Sequence, residues 1–316
     1  MKKCILSLCI FTALNTVAQK TTYYNWKWEP CDISMARFIS VVTQTDSGWL
    51  RSDMYIATKK LQSQALYKDS NCTIRNGFAR RYYTNGNLLS ESRYTDNIPD
   101  GRFISYHYNG MMHDSLVWEK GAATGTFKSW HSNGYIADSI VYGKDGSDVQ
   151  VSWFDNGNPS YAGRSNYGIQ EGKWRFFHRN GQVAAQEEYK KGGLLNRVYF
   201  DEQGVQLTDT VSRDRPALFK GGKAKWKEFL DDNLEFPKGV KLVNTDTITV
   251  VVVATINEKG KVTDAYVEVP FHPWFDKEVL RVMKISPKWE PAISHNRYVK
   301  DEVRQAVNFI GRPKKD

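Results

Sequence analysis

Polar and apolar positions repeat at a regular interval along this chain between Gly77 and Gly204. Turn dipeptides fall at Asn85-Gly86, Asn109-Gly110, Asn133-Gly134, Asn156-Gly157 and Asn180-Gly181, and the series degenerates to Gln203-Gly204. Successive turn glycines are 24, 24, 23, 24 and 23 residues apart. Four residues before each stands an aromatic: Tyr82, Tyr106, Trp130, Trp153, Phe177 and Phe200. Eight residues after it, four of the first five units carry Tyr94, Trp118, Tyr142 or Tyr189, and the fourth carries Ser165. A second glycine opens the units at Gly77, Gly101, Gly125 and Gly172, with Asp148 and Asn196 at the other two places. Asn-Gly favours the type I′ turn, whose two central residues both take positive φ. A strand of about 8 residues on each side fills the period. The pattern therefore predicts hairpins stacked edge to edge into one long twisted sheet, with the aromatics forming ladders along a face. Such units borrow their core from their neighbours.

The segment Gly172-Lys-Trp-Arg-Phe-Phe-His-Arg-Asn-Gly181, followed by Tyr189 and Gly192-Gly193, resembles the divergent bacterial form of the MORN repeat. Gly101 to Gly110 and Gly125 to Gly134 are similar to it. The resemblance implies a β-repeat scaffold or binding surface and carries no catalyst.

Ahead of the repeats, residues 19–76 read as a β cap. Tyr23 to Trp28 alternates like a strand and Ala36 to Thr43 reads as another. Tyr55 to Asp69 reads as a degenerate repeat with Lys59-Lys60 in its turn, since Leu66-Tyr67-Lys68-Asp69 is similar to Arg93-Tyr94-Thr95-Asp96. Residues 77–208 are the array. Residues 209–215 are polar, end before Pro216 and read as a short linker.

Beyond the linker the periodicity changes to a compact α+β unit over 216–312. A helix is predicted from about Ala224 to Asn233, with Trp226, Phe229 and Leu230 at helical spacing. Thr247 to Ile256 is a strand buried on both faces, and Val262 to Val269 is a second. Trp274 to Lys284 is an amphipathic helix, and Tyr298 to Ile310 a last strand. The order α-β-β-α-β resembles the TonB C-terminal domain. The words that carry the resemblance are Pro216, Phe219 and Gly221-Gly222, then Asn233-Leu-Glu-Phe-Pro237, Val250-Val-Val252 and Gly260-Lys-Val262. Phe275-Asp276, Pro287-Lys-Trp-Glu-Pro291 and Phe309-Ile310 complete them. The resemblance implies capture of an extended segment, such as one from an outer-membrane receptor, as an added strand beside the final strand. The implied contact residues are Phe236, Pro237, Val299, Val303, Gln305, Val307 and Phe309. Unlike energy-transducing members, this chain has no long proline-rich spacer, so an interaction role is expected before a transducing one.

Composition adds limits. Met1-Lys2-Lys3, the apolar run Cys4 to Leu14 and the small-residue site Thr16-Val17-Ala18 read as a cleaved export signal over 1–18. This predicts a periplasmic or outer-membrane-associated protein with no transmembrane span after cleavage. The formal charge of +9 falls by the two signal lysines to +7, without the basic stripe of a nucleic-acid binder. Two cysteines remain, Cys31 and Cys72. In an oxidising compartment they are a disulfide candidate, and two free thiols are the alternative. His107, His131 and His178 recur three residues before their turn glycines. Equivalent positions lie two strands apart, about 9.5 Å, too far to share a zinc ion, so a solvated or partner-facing column is expected. No nucleophile elbow, HExxH or phosphate loop is present. The expected protein is non-catalytic, needs no cofactor or metal, and is mainly β with a C-terminal α+β domain. A TonB-type transducer and a glycan-binding repeat protein are the alternatives.

Overall fold

The computed structural model describes residues 19–237 and 247–310. The expected signal segment, 1–18, lies outside the described residues. The chain first lays down β1 (Gln19–Tyr24), β2 (Phe38–Thr45), β3 (Gly48–Tyr55), β4 (Leu61–Tyr67), β5 (Arg75–Tyr82) and β6 (Leu88–Thr95). It continues through β7 (Ile98–Pro99), β8 (Gly101–Tyr106), β9 (Met112–Glu119), β10 (Ala122–Trp130) and β11 (Ile136–Tyr142). The array closes with β12 (Ser147–Trp153), β13 (Pro159–Asn166), β14 (Ile169–Phe177), β15 (Val183–Lys190) and β16 (Gly193–Tyr199). These strands form a single antiparallel sheet in which each strand lies beside its sequence neighbour, the two-residue β7 alone pairing off the main path. The cap joins the same sheet, and Lys59 takes positive φ in the turn between β3 and β4 as the degenerate repeat requires. Tyr23 to Trp28 is not one strand: β1 ends at Tyr24, and the Asn25 carboxamide oxygen accepts from Lys27 N and Glu29 N to fold the chain back.

The two edges of the sheet use different turns, and they are the reverse of the expectation. At Asn85-Gly86 only the glycine has positive φ; Gly86 N donates to Tyr83 O and Tyr83 N to Asn87 O. This is a type I turn closed by a glycine bulge, and it repeats at each Asn-Gly. The two-residue type I′ turns lie on the opposite edge, at Asp96-Asn97, Lys120-Gly121, Tyr167-Gly168 and Lys191-Gly192, where both residues have positive φ.

The asparagine that opens each glycine turn serves two hairpins. Asn109 Oδ1 accepts from Met111 N within its own turn (3.0 Å), while its Nδ2 donates to Ser132 O of the next (2.9 Å). Asn85, Asn133, Asn156 and Asn180 donate forward in the same way, to Tyr108, Asp155, Arg179 and Glu202. Period and residue type are thus set by one carboxamide ladder along that edge.

The C-terminal module contains α1 (Gly222–Asn233), β17 (Thr247–Ile256), β18 (Val262–Val269), α2 (Pro273–Ile285), β19 (Ala292–Ser294), β20 (Arg297–Val299) and β21 (Asp301–Ile310). A three-stranded sheet has the order β18-β17-β21. One face of β17, Ile248, Val250, Val252, Ala254 and Ile256, packs with Trp226, Phe275, Val279 and Met283 of the two helices. On its other face Val251 meets Phe38 and Tyr55 of the array. Burial of each such aliphatic side chain stabilises by about 1.5–3 kcal/mol, which accounts for the unbroken apolar run. The last strand is interrupted. Tyr298 and Val299 belong to the short β19–β20 hairpin, whose tip residues His295 and Asn296 both take positive φ, and β21 begins at Asp301.

The module lies across the array. Thirteen strand spacings separate β2 from β16 along the sheet path, about 62 Å if the sheet were flat. Yet Val251 touches Phe38 near one end, and Asn296 Nδ2 donates to Phe200 O at the other. A compact unit of this size has a radius of gyration of about 13 Å, so the sheet must curl around it.

Replacing Asn109 by Ala should cost about 1–2 kcal/mol in chemical denaturation, and Asn109→Asp, which keeps the turn-capping oxygen but loses the forward donor, about half of that.

Candidate functional site

The histidine column links the repeats rather than facing solvent or a partner. His107 Nε2 lies 2.7 Å from Trp130 O, His131 Nε2 2.9 Å from Trp153 O, and His178 Nε2 2.9 Å from Phe200 O. In the first unit Tyr83 holds the same place and donates its hydroxyl to Tyr106 O (2.8 Å). Each staple ends on the main-chain carbonyl of the next unit's recurring aromatic. A ring nitrogen committed to a carbonyl cannot also present itself to a partner, which corrects the expected solvated column.

The fourth unit lacks this donor, because Phe154 occupies the position. The C-terminal module supplies it. Arg297 Nη1 donates to Phe177 O (3.1 Å), to Ser160 Oγ (2.9 Å) and to Ser160 O. Its guanidinium lies over the rings of Phe154, Tyr161 and Phe176, 5.5–5.9 Å from their centroids. Burial pushes the Arg297 pKa down to about 10, which leaves it charged at neutral pH. The rest of the β19–β20 hairpin follows it in. Asn296 Nδ2 bonds Ala184 O and Phe200 O, and the His295 ring stacks on Phe176 at 3.6 Å. Further along, Lys300 and Arg179 both pair with Asp155, and Arg179 reaches Glu258 at 3.0 Å. Tyr266 stacks on Tyr108 at 5.0 Å, and Thr84 Oγ1 donates to Val267 O (2.8 Å).

The predicted contact residues divide into three groups. Phe236 packs edge-on to Phe275, which meets Phe309, so the structure brings the Phe236-Pro237 segment and the end of β21 onto one aromatic cluster. Val299 lies in β20, away from the edge. Val303, Gln305, Val307 and Phe309 lie on β21, the sheet's edge strand among the described residues, but Val303, Val307 and Phe309 point into the core. Main-chain parity sharpens this. Asn257 N donates to Lys261 O and so faces β18. Alternation turns Ile256, Ala254, Val252 and Val250 toward β21, where their register partners are Asp301, Val303, Gln305 and Val307. The groups left at the outer edge therefore belong to Glu302, Arg304, Ala306 and Asn308. Alternation alone does not reveal this parity; it needs the pairing partner.

Cys31 and Cys72 are free thiols. Cys31 N bonds Tyr23 O beside β1, while Cys72 sits in the turn after β4, at the other end of the strands. At least three strand spacings, about 14 Å, separate sulfurs whose Cα atoms must come within about 7 Å to bond.

With this geometry in place the comparisons fall on the array. A family model described as a MORN repeat variant matches residues 75–96 and 170–191, the first and fifth hairpin units. The array is MORN-like. Both matched units hold the full set of asparagine, staple and glycine positions, whereas the fourth departs from it at Asp148, Phe154 and Ser165. No curated protein matches the chain.

Arg297→Met should destabilise the protein by about 2–4 kcal/mol in chemical denaturation, since two carbonyls lose their donor. Phe154→His in that background should recover part of the loss by restoring the missing staple, a coupling visible as non-additivity in a double-mutant cycle. Two histidines should draw stability down with acid, opposing His113, whose hydrogen bond to Asp114 raises its pKa. Burial holds His295 below its usual 6.5, against the raising influence of Glu187 and Asp214, and burial lowers His107 likewise. At these two sites the unfolded chain binds protons that the folded one does not, so their contribution to stability is lost as the pH falls through about 6.5. His295→Gln should flatten that slope in denaturation measured from pH 8 to pH 5.

Proposed function

We propose that this is a non-catalytic, exported cell-envelope protein. Its C-terminal module is TonB-like and captures an extended segment of a partner by strand addition, with outer-membrane receptors the first candidates. The MORN-like array is the scaffold that holds the module. The observation that carries the reading is the outer edge of β21. Main-chain donors and acceptors of Glu302, Arg304, Ala306 and Asn308 stand there beside no other strand among the described residues. An unpaired edge of this length is a template for another chain, and the side chains flanking it offer the alternate contacts that give such capture its specificity. The order α-β-β-α, ending in β21 after the short β19–β20 hairpin, and the sequence words noted above support the same assignment. Among the described residues no helix is long and apolar enough to cross a membrane.

Capture is tested by cross-linking in intact cells followed by affinity recovery. Ala306→Pro removes an outward donor and should abolish recovery of the partner while the thermal midpoint stays within a few degrees. Val307→Pro breaks the inner ladder with β17 and should lower stability by about 3 kcal/mol or more. Partner recovery unaffected by Ala306→Pro and Asn308→Pro would refute strand addition at this edge. Inner-membrane motor proteins among the recovered partners would favour a transducer instead.

A further inference from the structure

The inner face of the array is filled unevenly. Cross-strand pairs seven residues before and six after each turn glycine occupy one row: Phe103 with Leu116, Phe127 with Ile140, and Trp174 with Glu187. The fourth unit has Gln150 opposite Gly163, and there the Trp174 ring lies over the glycine, where a Cβ would collide with it. The first unit has Ala79 opposite Ser92, and the row continues into Ala65. These small residues floor a groove of about 530 Å³.

The walls are chemically distinct from the rest of the array. Three arginine side chains line the groove, Arg51, Arg75 and Arg81, against the single carboxylate of Asp53. Arg51 Nε is held by Asp53 (2.9 Å), while Arg80 alternates to the other face of the sheet and pairs there with Glu91. Arg75 lies 5.4 Å over the Tyr94 ring. Arg81 forms no ion pair among the described residues. Trp28, Tyr67, Tyr94 and Phe103 supply rings, and Ser63, Ser90 and Ser92 supply hydroxyls.

We propose that this groove binds a sugar carrying an anionic group, a carboxylate or a phosphate. Guanidinium forks pair with such groups through two parallel hydrogen bonds. The serines and Asp53 suit the hydroxyls of a sugar, and the rings suit its apolar face. A bare anion leaves the aromatic walls unused. An extended peptide is disfavoured because the floor is mid-sheet, where β3, β4, β5 and β6 already engage one another's main chain. The inference is independent of strand capture at β21, which lies on the other module.

The test is calorimetric titration of the full chain with D-glucuronate, glucose 6-phosphate, D-glucose and inorganic phosphate. Glucuronate, glucose 6-phosphate or both should bind at least about tenfold more tightly than glucose and than inorganic phosphate; which of them binds names the anion. Ala79→Phe, which copies the Phe103 position of the next unit, should abolish binding with the fold retained by circular dichroism. Arg81→Gln should weaken binding about tenfold and supplies the same test should Ala79→Phe fail to fold. Equal affinity for glucose and the acidic sugars, inorganic phosphate binding as well as glucose 6-phosphate, or binding untouched by Arg81→Gln would overturn the assignment.

Discussion

The structure depends on satisfying one row of main-chain carbonyls. In a meander of hairpins with so regular a repeat, the carbonyl of each unit's recurring aromatic faces the unit before it. A buried carbonyl without a donor costs about 1–3 kcal/mol. Tyr83, His107, His131 and His178 meet this demand from inside the array. Phe154 does not, and the gap it leaves at Phe177 is where Arg297 enters. A break in the repeat thereby becomes the socket for the second module.

That single socket organises the surrounding packing. The β19–β20 hairpin carries His295 and Asn296 at its tip and Arg297 directly beside them, so the last strand of the module is split rather than continuous. Once the hairpin is seated, β17 lies between helices on one side and Phe38 and Tyr55 on the other. Its residues are apolar in both parities for that reason. The contacts made at Phe38, Tyr108, Asp155 and Phe200 also constrain the sheet to curl, because no flat ribbon brings those residues to one small domain. The linker before Pro216 is anchored as well, with Asp214 Oδ1 accepting from His295 N (2.9 Å). The two modules are joined by buried polar contacts, and the outer edge of β21 is left as an open main-chain surface.

The departures from the repeat carry more information than the repeat itself. Units one and five, matched by the MORN repeat variant, keep the asparagine, staple and glycine positions, as units two and three also do. Ser165, where other units have an aromatic, is buried with Asp148, the residue that replaces an opening glycine, and donates to its carboxylate. Ala79 and Ser92, where the next two units have large apolar pairs, open the arginine-lined groove. Local rules that hold everywhere else fail where a sheet receives a neighbour or opens a cavity.

By itself the sequence determined the hairpin period, the MORN-like character of the repeat, and the places of two helices and two long strands, β17 and β18, in the second module, but not the split of its last strand into β20 and β21. These follow from nearest-neighbour physics: turn residues with positive φ, alternation along strands and helical spacing of apolar residues act over short stretches of chain. Tertiary structure alone decided the rest. The histidines looked like a solvated column because their acceptors lie a full repeat away, on another strand. The Asn-Gly pairs looked like type I′ turns because dipeptide preference does not count the bulge. Cys31 and Cys72 looked bondable because loop length ignores the strands between them. Which main-chain groups of β21 face outward depends on its register with β17, and the role of Arg297 depends on an absence at Phe154, in the other module. Long-range register and a missing donor leave no trace in local pattern, since the hydrogen bond that resolves each is made to a group remote in the chain.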